Sequence, residues 1–155
     1  MKTQQMLIAG MILAVFGVTA NSASAADAAG CKPPGWAAQR LPGFAIESCS
    51  DRTWATVDIN LAPGPKTVFG HRNVVSFALA DQTKVSPAAR TRAYYVQLAQ
   101  KQGAKLASNP ANNDYVALEA KTPKSDIWYV MEHSGPDETT NAYTLTTLQV
   151  QPMPI

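Results

Sequence analysis

Ser86-Pro87-Ala88-Ala89-Arg90-Thr91-Arg92-Ala93-Tyr94-Tyr95-Val96-Gln97-Leu98-Ala99-Gln100-Lys101-Gln102-Gly103-Ala104-Lys105-Leu106 is the one stretch beyond residue 25 with a sustained helical pattern. At about 100° per residue, Ala88, Thr91, Tyr94, Tyr95, Leu98 and Ala99 share one side, and Arg90, Gln97 and Lys101 lie opposite. Ser86 reads as the N-cap, its hydroxyl accepting a bond from a first-turn N–H. Pro87 then takes the first helical position, where the N–H it lacks would have had no partner. Gly103 closes the last turn by adopting a left-handed conformation. Lys101 suits the negative end of the helix dipole, whereas Arg90 and Arg92 do not suit the positive end. A helix this short, about 87–102, is marginal alone and needs a sheet to lie on.

The rest of the chain reads as short strands. Ala45 to Ser50 is strand-like after the turn Leu41-Pro42-Gly43-Phe44. In Thr53 to Leu61, Ala55, Val57, Ile59 and Leu61 alternate with Trp54, Thr56, Asp58 and Asn60, until Pro63-Gly64-Pro65 stops the run. Thr67 to Phe69 and Asn73 to Ala80 look like a hairpin turning through Gly70-His71-Arg72. After the helix, Leu106 to Ser108, Asp114 to Ala120, Asp126 to Glu132 and Tyr143 to Val150 complete the strands, with turns at Lys121-Thr122-Pro123-Lys124 and Ser134-Gly135-Pro136-Asp137. The polar alternation before the helix predicts an antiparallel sheet buried on one side. The fold class expected is α+β: seven or eight short antiparallel strands with one main helix packed on one face.

Residues 1–25 read as an export signal. Lys2 supplies the positive start, Met6 to Ala20 an almost uncharged apolar run, and Ala23-Ser24-Ala25 the small residues of a cleavage site. Cleavage there leaves an N-terminal arm over 26–43 and a single domain over 44–155, with no transmembrane span. Thirteen Lys and Arg, Lys2 among them, face eleven Asp and Glu, so the mature part is nearly neutral. The chain has no charge run or basic stripe, which argues against a nucleic-acid partner. Cys31 and Cys49, the only cysteines, read as a disulfide in an oxidising compartment, tying the Pro-rich arm to the first strand. An alternative is acylation of Cys31, because Ala28-Ala29-Gly30-Cys31 loosely resembles a bacterial lipobox. Against it, Ala replaces Leu three residues before the cysteine, and Asn21 to Asp27 separates the motif from the apolar run.

Several stretches together carry a family resemblance: Gly30-Cys31-Lys32, Leu41 to Cys49, Val68-Phe69-Gly70-His71-Arg72-Asn73-Val74-Val75-Ser76-Phe77-Ala78-Leu79, Gln102 to Leu106, and Tyr143-Thr144-Leu145. Across nearly all of 30–150 the chain resembles a periplasmic domain that precedes the peptidoglycan-binding domain in some OmpA-family envelope proteins. The resemblance implies a Gram-negative envelope protein, a Cys31–Cys49 disulfide, and no catalytic residues. With the sequence ending at Ile155, cell-wall attachment is not carried over.

Candidate chemistry is sparse. His71 falls in an expected turn, and His133 ends a strand near Glu132, Asp137 and Glu138. That group could serve a small periplasmic enzyme or a metal, but it also reads as a solvated turn, with no histidine pair at helical spacing. Ser134 beside His133 means little without geometry, and Asp58, Glu119 and Glu132 lie on expected outward strand faces. No Gly-rich phosphate loop leads into the helix, and neither a metal nor a cofactor is expected. Trp54 and Trp128 are the candidates for an exposed surface that takes a partner protein or glycan. The competing reading, which the usual burial of large aromatics favours, puts Trp128 at the core edge and Trp54 beneath the disulfide-held arm. The resulting expectation is a disulfide-bonded periplasmic or outer-membrane-associated protein that binds rather than catalyses.

Overall fold

The structure is a computed structural model that describes residues 26–135 and 137–153. The export segment expected over 1–25, and Pro136 of the expected turn, lie outside the described residues. Among the described residues, eight strands and one α-helix follow the arm: β1 (Phe44–Leu61), β2 (Gly64–Leu79), β3 (Ser86–Pro87), α1 (Ala88–Lys101), β4 (Lys105–Leu106), β5 (Tyr115–Lys121), β6 (Asp126–Ser134), β7 (Thr139–Thr140) and β8 (Ala142–Val150). Every pairing is antiparallel, in a six-stranded sheet of order β1-β2-β8-β6-β5-β4 and a separate ribbon of β3 with β7. The antiparallel sheet and its single helix match the sequence reading. The single sheet of seven or eight short strands does not.

The largest difference lies before the helix. The two short strands expected over 45–61 are one strand of 18 residues, interrupted by irregularities in register after Ile46 and after Arg52. The turn expected at Gly70-His71-Arg72 is absent. These residues sit mid-strand in β2, with Gly70 opposite Ala55 on one side and Val150 on the other. Gly70 is there for clearance: a Cβ on it would lie 2.0 Å from the carbonyl oxygen of Gln149. The real turn is Ala62-Pro63, where proline needs no ladder partner.

The helix keeps its expected face, with Ala88, Thr91, Tyr95 and Ala99 buried. Its start differs. Ser86 is drawn into the ribbon opposite Thr140, so Pro87 stands at the N-cap with no side-chain cap. The Ala88 N–H is instead met by the carbonyl of Glu138 at 2.8 Å. The C-terminus closes as expected, with Gly103 at φ 84° donating to the Gln100 carbonyl and Ala104 to that of Ala99.

Both faces of the sheet are buried. Under the helix, Phe44, Ile46, Val75, Phe77, Leu118, Tyr129, Met131, Tyr143 and Leu145 pack with Tyr95 and Ala99. On the opposite face, Tyr115, Ala117, Trp128, Val130 and Leu148 pack against Ile59 and Val68, from the distal half of the β1–β2 hairpin. That half extends past the end of β8 and folds back across β5 and β6, where the Asn60 N–H bonds the Tyr115 hydroxyl at 3.0 Å. The expected one-sided sheet is therefore corrected. Tyr115 to Leu118 and Trp128 to Met131 are buried residue after residue, which alternation on one face cannot produce. Among the described residues, no helix is long and apolar enough to cross a membrane.

Gly70→Ala should lower unfolding stability by about 3 kcal/mol, because backbone rather than a yielding side chain opposes the new methyl. Urea denaturation checks this, and an unchanged midpoint would rule out the close approach.

Candidate functional site

Cys31 and Cys49 form the expected disulfide, with Cα atoms 5.7 Å apart. It holds the arm against the first strand, helped by polar contacts on either side. The Ala28 N–H donates to the Ile46 carbonyl at 2.9 Å, and the Ile46 N–H donates to the Asp27 carboxylate, also at 2.9 Å. These bonds satisfy the backbone of Ile46 on the outer edge of β1. Arg40 grips the same carboxylate with both terminal nitrogens. The Arg40 hydrogen bonds, then that from Ile46, hold the Asp27 carboxyl at about 2, below its ordinary 3.8.

Between Asp27 and Arg40 the arm lays Trp36 on the sheet. Its ring stands edge-on to Tyr129 at 5.0 Å, and its indole N–H donates to Thr147 at 2.8 Å. Beneath the helix, Tyr95 and Tyr143 share a hydroxyl hydrogen bond, and the Leu41 N–H donates to Tyr95. Burial pushes Tyr95 up to about 12 and Tyr143 higher still, so both stay protonated and act as packing groups with satisfied tips.

The open polar surface begins beside the middle of the arm. A hollow of about 520 Å³ is lined by Lys32, Trp36, Ser50, Asp51, Asn73 and Thr147, among others. Asp51 is the hub: one carboxylate oxygen accepts from His71 Nε2 at 2.7 Å, the other from the Asn73 amide at 3.3 Å. The His71 bond, and a lesser one from Asn73, keep this carboxyl below the usual range although desolvation opposes them. Asn73, His71 and Phe69 follow one another along one face of β2, at two-residue steps of about 7 Å. Opposite His71, the register leaves two residues of β1, Thr53 and Trp54, facing one of β2. Such a bulge re-aims side chains. Here it brings Trp54 over Phe69, with ring centroids 5.5 Å apart and planes inclined by 14°.

The two tryptophans named from the sequence part company. Trp128 is 2% exposed, inside the core beneath the hairpin, with Lys66 Nζ 5.5 Å from its ring centroid. Trp54 is 50% exposed and not covered by the arm. His71, expected in a turn, instead sits centrally in the polar strip. His133 goes the other way: its side chain is 4% exposed, with Nε2 against the Asn113 carbonyl and 3.8 Å from Asp114. Glu132, its neighbour in β6, points to the opposite face of the strand. A cleft of about 290 Å³ passes Glu47, Glu132, His133 and Ser134. The two contacts made by the imidazole nevertheless belong to the Asn113–Asp114 loop. Asp137 and Glu138 are exposed in a turn with positive φ. Among the described residues, no three His, Cys, Asp or Glu side chains gather as a metal site. No family model, curated protein or solved structure matches this chain.

The Asp27 link stabilises the docked arm fully above pH 3.8, the carboxyl's ordinary value, and is lost as pH falls through about 2. Asp27→Asn should therefore reduce stability at neutral pH, with the deficit shrinking between those two values. Thermal melts across the acid range check it. A deficit independent of pH would show that the carboxylate's charge is not what holds the arm.

Proposed function

We propose that this is an exported envelope protein, periplasmic and disulfide-bonded, whose role is to bind rather than to catalyse. The observation that carries the reading is the Cys31–Cys49 bond, because disulfides of this kind persist in oxidising compartments. The leader-like pattern of residues 1–25 and the resemblance to a periplasmic domain of OmpA-family proteins support the same placement. With its sulfur in that bond, Cys31 has no thiol left to acylate, which disfavours the lipoprotein alternative. A binding role is supported by the strip in which exposed Asp51 and Trp54 flank half-buried His71 and Asn73, all held on neighbouring strands. The enzyme alternative built on His133 is weakened by the engagement of Nε2 with a backbone carbonyl.

Intact-mass analysis of the full chain produced in a Gram-negative host tests this directly. The expected product begins at Ala26, leaves the cells with the periplasmic fraction, and weighs about 2 Da less than its reduced form, the two hydrogens of the thiol pair. A diacylglyceryl adduct on Cys31, or an uncleaved precursor in the membrane, would overturn the proposal.

A further inference from the structure

The β1–β2 hairpin has two faces with opposite duties. Val57, Ile59, Leu61 and Val68 turn inward over β5 and β6. Trp54 and Phe69 turn outward, continuous with His71, Asn73 and the hollow beside Trp36. Trp54 is half exposed and forms one aromatic pair with Phe69, and the bulge at Thr53–Trp54 is the irregularity that places it there. Phe69 stacks on one side of the indole and so fixes its plane, while half of the Trp54 surface stays exposed.

We propose that this strip is a binding site for a neutral glycan chain, an assignment that rests on the binding-module reading above. The chemistry of each part matches that ligand. The weakly positive C–H groups on the flat face of a pyranose ring suit the negative face of an aromatic ring. Its hydroxyls require donors and acceptors lying side by side, which Asp51 on β1 presents with His71 and Asn73 of the neighbouring β2. From Asn73 to Phe69 the strip runs about 14 Å, long enough for a short run of sugar rings in extended form. The hollow at its far end continues the path, with Ser50 and Thr147 hydroxyls and an edge of Trp36. Charge separates this ligand from others. Lys32 is the one cation lining the hollow and Asp51 the one anion, so the hollow offers little to a polyanion. It also lacks the deep apolar pocket that anchors a peptide side chain.

Because a β-strand holds these residues, little ordering is needed on binding. Trp54 is exposed and its removal leaves both cores intact, so Trp54→Ala is a clean probe.

The test is titration of the mature, oxidised protein with chitotetraose and cellotetraose, followed by tryptophan fluorescence and calorimetry. The expected result is saturable binding of at least one, with Trp54→Ala and Asp51→Ala each weakening it tenfold or more, about 1.4 kcal/mol. Leu106→Ala, at an exposed position on β4, should bind as the native protein does. No saturable change with either sugar would overturn the glycan assignment while leaving export and a protein partner open. Binding that survives Trp54→Ala would overturn the site. Mass spectrometry of the sugars after incubation separates the underlying reading: intact tetrasaccharides support it. Cleavage that Trp54→Ala abolishes would keep the site and overturn the non-catalytic role.

Discussion

A sheet that is apolar on both faces must be covered twice. In β5 and β6, consecutive residues are buried, Tyr115 to Leu118 and Trp128 to Met131, so neither face tolerates water. One face is covered by the 14-residue helix together with the arm, which adds Trp36, Ala37 and Leu41 to the same core. The other is covered by the far half of the β1–β2 hairpin, which brings Ile59 and Val68 onto Trp128 and Leu148. Exposing that second core would forfeit roughly 10 kcal/mol of gross burial, comparable with the whole net stability of a domain. The hairpin is thus part of the core rather than an appendage.

Its length follows from this duty. β1 and β2 must first pair within the sheet, then pass its end and return across it. Gly70 lets β2 lie close against the end of β8 at the point of departure, where any side chain would strike the Gln149 carbonyl. The Gln151 N–H donates to the Phe69 carbonyl at 3.1 Å and secures the same junction. Once the hairpin has folded over, its second face becomes the outside of the molecule. That is why a polar row and an aromatic pair share two strands with a hydrophobic lid. The arm, fixed by the disulfide and by Asp27 with Arg40, walls one end of the row.

Local patterns made the helix legible: Ala88, Thr91, Tyr95 and Ala99 recur at its period, and Gly103 marks its end. The cysteine pair was legible too, from compartment and number. What the sequence hid was long-range. Gly70-His71-Arg72 looks like a turn because glycine there signals flexibility, whereas its reason is clearance from a strand far along the chain. Ser86 has the chemistry of a cap, but its backbone is claimed by Thr140. The second core was written in the unbroken apolar runs of β5 and β6, a sign of two-sided burial that the alternation in 53–61 obscured. As for the site, alternation with the apolar row made Trp54 a candidate, although the usual burial of large aromatics favoured placing it beneath the arm, where it is not. Its stacking on Phe69, and the gathering of Asp51, His71 and Asn73, depend on a bulge that no local periodicity announces.

Ile59→Ala tests the two-sided core most directly, because this side chain lies far from the helix and belongs wholly to the hairpin's inward face. Equilibrium unfolding in urea should show a loss of about 3 kcal/mol in one cooperative transition, the effect of a cavity in a packed core. An unchanged midpoint would mean the hairpin does not close the second face, and the account would fail.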